Sequence, residues 1–396
     1  MRLHIFAFCT LKAPDRGGKK NQSLSTIVEN RIQKFLNETP ITNGPSRQNT
    51  NLSGRKGGKL KENMLQKLVC AKVEKGRIKD AVGLLVDNNE MASNNSDILA
   101  LLQEKHPRRS DHELINMQTN EVINVNLEEV KCSLESFPRS SAGGIDGLTP
   151  QLLKDMIVNV DEGPEKTQRL QILTDFINLV IAGQVPICIR PIFFAARLIA
   201  LKKKDNGVRP IAISNSLRRI CSKIVAKISL KSLKKRFSGR QLGIGTRSGC
   251  EIAVHKTREF VNLNKNQTIV KIDFKNAFNT LNRSTFLKEV IKRIKIAAPF
   301  IDAAYSKCSF LFFNNEIILS DEGVQQGDPL GPLIFCLALQ SVIDKLTCPL
   351  NLWYMDDGII GGTSDAVLKD ISTLEQEASK IGLALNRSKC EVFQPE

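Results

Sequence analysis

The chain has 396 residues, 41% of them hydrophobic, with 57 lysines and arginines against 41 aspartates and glutamates, a formal charge of +16. That length supports a core with more than one lobe, and the basic excess suits a polyanionic partner, although charge alone also serves solubility. No run reaches the roughly 18 apolar residues of a membrane span, so no membrane partner is expected. The ten cysteines are scattered without a C-x-x-C pair, which argues against a zinc ribbon or a disulfide framework and for a reduced, intracellular protein of nucleus or cytoplasm.

Residues 1–61 read as a basic, largely disordered arm. The first 70 residues hold 13 lysines and arginines and 4 acids, and residues 41–61 are rich in Asn, Ser, Gly and Lys. Met1 to Cys9 has a faint signal-peptide look but no cleavage pattern follows. Residues 62–137 read as a helical extension, with Leu65, Leu68, Val69, Ile78, Val82 and Leu85 at helical spacing. Residues 138–262 form a second unit. It opens on a turn from Ser140 to Pro150, in which Thr149 caps a helix and Pro150 takes its first turn. A core helix is expected from Leu170 to Ile181. A hairpin is expected over 192–213, turning at Asp205-Asn206-Gly207 beside Lys202, Lys203 and Lys204. A helix over 215–236 follows, with Arg218, Arg219, Lys223, Lys227 and Lys231 on its polar side. Gln241 to Gly245 reads as a turn.

Residues 263–396 contain the acids. Ile269-Val270-Lys271-Ile272-Asp273-Phe274 reads as a strand ending on a carboxylate. A helix over 283–295 comes next, then a hairpin over 310–320 with Asn314-Asn315 at its turn. Gly323 to Pro332 is a glycine-containing turn, with Asp328 expected to cap a helix that runs to about Leu346. Tyr354-Met355-Asp356-Asp357-Gly358 then reads as a hairpin whose turn lies at the acids. A pair of adjacent aspartates is usually a solvated turn; here it sits among apolar residues, where uncompensated carboxylates are costly. Asp273, Asp356 and Asp357 therefore form a candidate site for two hard cations, with the Phe274 carbonyl as a further ligand. Such a pair suits phosphoryl transfer, because the attacking and the leaving oxygen both carry charge. Asp356 is expected to be the principal ligand and Asp357 the supporting one. The four histidines His4, His106, His112 and His255 show no metal-ligand spacing.

Taken in order, the blocks Ser141 to Pro150, Arg209-Pro210-Ile211, Lys271 to Asn279, Gly323 to Pro332, Tyr354 to Gly358 and Gly382 to Lys389 resemble a reverse transcriptase of the non-long-terminal-repeat retroelement type. The resemblance covers about residues 130–396. It implies an α+β right-hand polymerase fold with fingers and palm, an antiparallel palm sheet flanked by helices, and a thumb largely absent. It further implies RNA-directed DNA synthesis with two Mg2+ ions (Mn2+ as a substitute), an RNA template, a DNA primer and deoxynucleotide triphosphates. By the same resemblance, Asp273, Asp356 and Asp357 are the palm acids and Phe278 the gate beneath the nucleotide sugar, its alternative being a core phenylalanine. Gln326 and Gly327 line the nucleotide pocket. Arg209 clamps the triphosphate with help from one of Lys202, Lys203 and Lys204, Lys389 protonates pyrophosphate or flanks the template groove, and Gln241 to Gly245 forms a template-facing turn. Arg218, Arg219, Lys223 and Lys227 meet the template backbone. The ending at Glu396 suggests a shortened enzyme of poor processivity. A catalytically weak nucleic-acid-binding relic, a group II intron-type enzyme and a DNA-templated polymerase are the rival readings.

Overall fold

The computed structural model describes residues 30–34, 66, 69–70, 73, 82, 92, 95–109, 115, 119, 121–139, 141–203, 207–237 and 239–394. Most of the basic arm of 1–61, much of the extension that follows it, and Lys204 lie outside them. In chain order the helices and strands are α1 (Ser96–Glu104), α2 (Leu127–Glu135), α3 (Pro150–Ile157), α4 (Pro164–Ile181), α5 (Arg190–Phe193), β1 (Ala196–Lys202), β2 (Val208–Ser214), α6 (Ser216–Phe237), α7 (Gly249–Leu263), β3 (Thr268–Ile272), α8 (Ala277–Thr280), α9 (Arg283–Arg293), α10 (Ala298–Tyr305), β4 (Ser309–Phe313), β5 (Glu316–Ser320), α11 (Gly331–Ile343), β6 (Leu350–Tyr354), β7 (Asp357–Gly362), α12 (Ser364–Lys380) and β8 (Glu391–Phe393). The class is α+β. None of the described helices is long and apolar enough to cross a membrane.

Local chemistry sets several boundaries. The Thr149 side chain accepts the Leu152 amide at the start of α3, with Pro150 in its first turn. Asn126 and Glu129 form a reciprocal capping box on α2. The strand expected from residue 192 begins instead at Ala196, because Arg190–Phe193 coil into a short helix with Pro191 in the first turn. The helix expected to reach residue 295 ends at Arg293, and α10 opens a new one with a proline in its own first turn.

Two four-stranded sheets organise the chain. The first has the order β2-β1-β4-β5 and the second β6-β7-β3-β8. In the first, β1 and β4 run parallel while β1–β2 and β4–β5 are antiparallel. The second is antiparallel throughout. Alternation along β1 buries Ala196, Leu198 and Ala200. They pack with Leu102 of α1, Val208, Ala212, Leu311 and Phe313 in one cluster, so α1 closes a face of the first sheet. α11 lies in the main core: Leu333 through Leu339 are all buried, alongside Phe286 and Val290 of α9 and Leu374 of α12. A helix apolar on every side is stable only when covered all round. The main core and the β6–β7 hairpin beside it form the platform from which the acids project.

Candidate active site

Asp273 follows the last residue of β3. The register pairs Ile272 with Gly358, which sets Asp273 beside the β6–β7 turn. Tyr354 and Asp357 pair across that turn, leaving Met355 and Asp356 as a two-residue connection. Met355 has φ 57, a region that side-chain-bearing residues rarely occupy. Gln241, wholly buried, holds it there: its Oε1 accepts the Met355 amide at 2.8 Å and its Nε2 donates to the Met355 carbonyl at 3.2 Å. The chain on either side is laced to β6, since the Leu242 amide donates to the Trp353 carbonyl and the Trp353 amide to the Arg240 carbonyl. Gln241 is thus a brace behind the acids and not the template-facing residue expected. Gly358 completes the seat: a Cβ there would lie 2.6 Å from Cζ3 of the buried Trp353.

Asp273 is braced separately. Asn386 donates from Nδ2 to Asp273 Oδ2 at 2.8 Å and from its amide to the Asp273 carbonyl at 2.8 Å. Phe274 bridges to Leu385. Its side chain is buried and stacks on Trp353 with ring centroids 6.1 Å apart, so only its main chain could serve a ligand. Nearby, Asn276 takes φ 51 and donates to the Lys105 carbonyl at 2.8 Å, tying the segment after α1 to the site.

The three carboxylates act on one another. Loss of solvent is the largest cause raising the Asp356 pKa, with Asp357 and Asp273 adding repulsion and Arg209 opposing it. Asp357 is raised by partial desolvation and then by Asp273, against Lys271 and Arg209. Among the described residues, no three His, Cys, Asp or Glu side chains form a preformed ion-binding group. The donor chemistry nevertheless fits a hard divalent cation, because mutually repelling carboxylates gathered at the end of β3 and the β6–β7 turn are what such an ion neutralises.

The opposite wall comes from β2 and the loop before α11. Arg209 is exposed on β2, and its charge reaches both hairpin acids. The Ala212 amide donates to the Gln326 carbonyl at 2.7 Å. Gly327 has φ 116, and a Cβ on it would lie 2.5 Å from the Ala212 carbonyl oxygen, so a side chain is excluded by both backbone and space. Phe278 is half-buried and stacks on Phe335, centroids 4.6 Å apart and planes 17° from parallel. The Val324 amide donates to the Phe278 carbonyl, joining that ring's backbone to the same loop. Lys203 is exposed and its amide donates to Gly207. Lys389 is exposed too, with its amide on the Asn386 carbonyl.

The basic face of α6 divides. Arg218 is fully buried and pairs with Asp328 at 2.8 Å, so it cannot meet a template backbone. It sits at an inward helical position, where the guanidinium finds internal acceptors. Asp328 is not the cap expected of it: α11 starts at Gly331 behind Leu330, with no side-chain cap bond, and Asp328 instead accepts the Leu330 amide and the Arg218 and Tyr305 donors. Arg219 lies over the Phe137 ring and donates to the Ala142 carbonyl. Lys223 sits 3.8 Å from the same ring centroid and donates to Ser136 Oγ at 2.7 Å. Lys227 is exposed. From sequence, Asn386 has no assigned role and Gln241 belongs to a template-facing turn instead of sitting behind the acids. The positive φ of Met355 is invisible in sequence, whereas Asn386 lies within the Gly382 to Lys389 motif.

Residues 201–396 match the family described as reverse transcriptase (RNA-dependent DNA polymerase). The retrotransposable element SLACS 132 kDa protein of Trypanosoma brucei gambiense is 26% identical over 295 residues, covering 69% of this chain and 23% of that protein. The retrovirus-related Pol polyprotein from type-1 retrotransposable element R2 of Popillia japonica is 25% identical over 261 residues, covering 61% and 33% respectively. The chain therefore spans between 23% and 33% of the length of these relatives. The solved structure of apo telomerase from Candida tropicalis aligns with a TM-score of 0.40 and 14% identity, over 52% of this chain and 44% of that one.

Proposed function

We propose, from the match of residues 201–396 to the reverse-transcriptase family and the likeness to retrotransposable-element proteins, that this chain adds deoxynucleotides to a primer 3′-hydroxyl on an RNA template. The observation that carries the proposal is the convergence of Asp273, just past the end of β3, with Asp356 and Asp357 at the neighbouring β6–β7 turn, and Arg209 in electrostatic reach of both turn acids. On this reading the second sheet is the palm and the first belongs to the fingers, with residues 138–262 supplying fingers and the fingers–palm connection.

Asp273 and Asp356 hold the cations, Asp357 supports them, and the Phe274 carbonyl is available as a further ligand. When bound, a pair of Mg2+ ions (or Mn2+) supplies activation of the primer hydroxyl and neutralisation of pyrophosphate. Arg209 orients the triphosphate through its planar fork, with Lys203 or Lys204 adding charge. Phe278, fixed on Phe335, presents a ring edge where a ribose 2′-hydroxyl would fall. Gln326 and Gly327 shape the pocket floor, and Lys389 donates a proton to the leaving pyrophosphate. Arg219, Lys223 and Lys227 accompany the template strand.

Magnesium-dependent extension of a DNA primer on an RNA template tests the reading, with Asp356→Asn as the control. Extension should fall by about three orders of magnitude or more in that variant, while RNA binding stays near the parent value. Equal extension by parent and variant would reject the site. A nucleic-acid-binding protein without turnover is the second reading, favoured by the lack of a preformed three-donor group among the described residues. Tight RNA binding with no extension in Mg2+ or Mn2+ would select it.

A further inference from the structure

Arg218 leaves α6 on its inward side and is fully buried. Its guanidinium donates to Asp328 Oδ2 at 2.8 Å, to Gln325 Oε1 at 2.7 Å and to the Phe194 carbonyl. It also lies 5.5 Å from the ring centroids of Phe194 and Tyr305. The Tyr305 hydroxyl donates to the same Asp328 oxygen at 2.7 Å, and Gln325 Nε2 donates to Ser309 Oγ at 2.9 Å. The two side chains the guanidinium binds, Gln325 and Asp328, bracket Gln326 and Gly327. Those two residues in turn meet β2: the Gln326 carbonyl accepts the Ala212 amide, and Gly327 approaches the Ala212 carbonyl too closely for a side chain.

Taking a cation and an anion out of water is costly, and apolar residues of the same volume often serve stability as well or better. What a charged, directional network supplies is one orientation of its surroundings. The turn needs that, because Gly327 by itself permits many conformations. We propose that Arg218, acting through Gln325 and Asp328, is a positioning residue that fixes the Gln326–Gly327 turn against β2 and so sets the affinity for the incoming nucleotide. The nucleotide clause rests on the polymerase reading above; the positioning clause does not.

Two measurements on the full chain decide it, using Arg218→Met and the near-isosteric Tyr305→Phe. The first is hydrogen exchange of the segments 208–214 and 323–330, with the β6–β7 hairpin as internal reference. Arg218→Met should speed exchange at the Ala212 amide by about tenfold relative to the hairpin, and Tyr305→Phe by about threefold. The second is single-nucleotide extension, in which KM for the dNTP should rise by about tenfold with kcat within about threefold and primer-template affinity unchanged. Exchange that stays at parent values, or rises equally in the hairpin, overturns the positioning role. If Arg218→Met does not fold, Tyr305→Phe decides by the same criteria. Faster exchange with an unchanged KM overturns the nucleotide clause. A parent chain that extends no primer defeats the polymerase reading, and with it that clause, while the exchange result still decides whether Arg218 positions the turn.

Discussion

At the scale of single residues, the site depends on side chains that do no chemistry. Met355 occupies a strained backbone region, and two hydrogen bonds from Gln241 hold it there. Removing them lets the turn relax and moves Asp356. Gln241→Ala is expected to lower kcat for primer extension by about a hundredfold, since a displacement near 1 Å costs that much in a positioned reaction. KM for RNA should change little, and steady-state extension kinetics would show it; unchanged kcat would mean that the turn holds itself. Phe278 makes a different prediction. Its ring is anchored by Phe335 but remains half-exposed, which suits a wall more than a core filler. Phe278→Val should raise ribonucleotide incorporation by roughly ten- to a hundredfold relative to deoxynucleotides, one clash being worth about 1–3 kcal/mol. Competition between dNTPs and rNTPs measures this, and unchanged discrimination would return Phe278 to the core.

At the scale of elements, α12 fastens the segment between α11 and β6 through one buried carboxylate. Asp370 accepts the Thr347 and Cys348 amides and the Thr347 hydroxyl. Burial alone would raise its pKa, but those hydrogen bonds outweigh it and hold the group below the usual carboxylate range. A lowered folded pKa means stability present above the unfolded value of about 3.9 and lost as pH falls through the folded one. Asp370→Asn should therefore lower stability at pH 7 by on the order of 1–3 kcal/mol, and should flatten the fall in stability below about pH 4. Denaturant unfolding at pH 7 and pH 3 tests both; equal losses at the two values would contradict the ionised role. The element is not assigned from sequence, although Thr363 as cap and Val367, Leu374 and Ala378 at helical spacing carry its signal. Its anchor carries none, because Asp370 finds its donors on a separate loop.

At the scale of the whole molecule, charge and topology matter more than any one contact. The excess of 16 positive charges gives RNA binding a steep salt dependence if part of it faces phosphate. Each contact contributes about −0.7 to the slope of log affinity against log salt on a single strand. Lys227→Ala should make that slope shallower by about this amount, whereas Arg218→Ala, at a buried position, should not. Fluorescence anisotropy across a salt series measures both, and a slope indifferent to Lys227 would remove α6 from the template path. Arg218, Arg219, Lys223 and Lys227, the template candidates on α6, looked alike in sequence. They separate only because the inward side of that helix meets Gln325, Asp328 and Phe194.

The sequence by itself determined the local matters: the β1–β2 and β4–β5 hairpins, the capped α3, the three acids, and the resemblance that named the domain. These are written in turn residues, in periodicity and in short ordered motifs, all readable over a few neighbours. Only the tertiary structure decided which buried groups serve the site. It placed Gln241 behind the acid turn, Asn386 against Asp273 and Arg218 beneath the Gln326–Gly327 turn, and it joined strands from both sides of β3 in one sheet. Polar side chains look solvent-bound in a linear chain. Whether they are buried depends on acceptors supplied from distant segments, and that pairing exists only once the chain has folded.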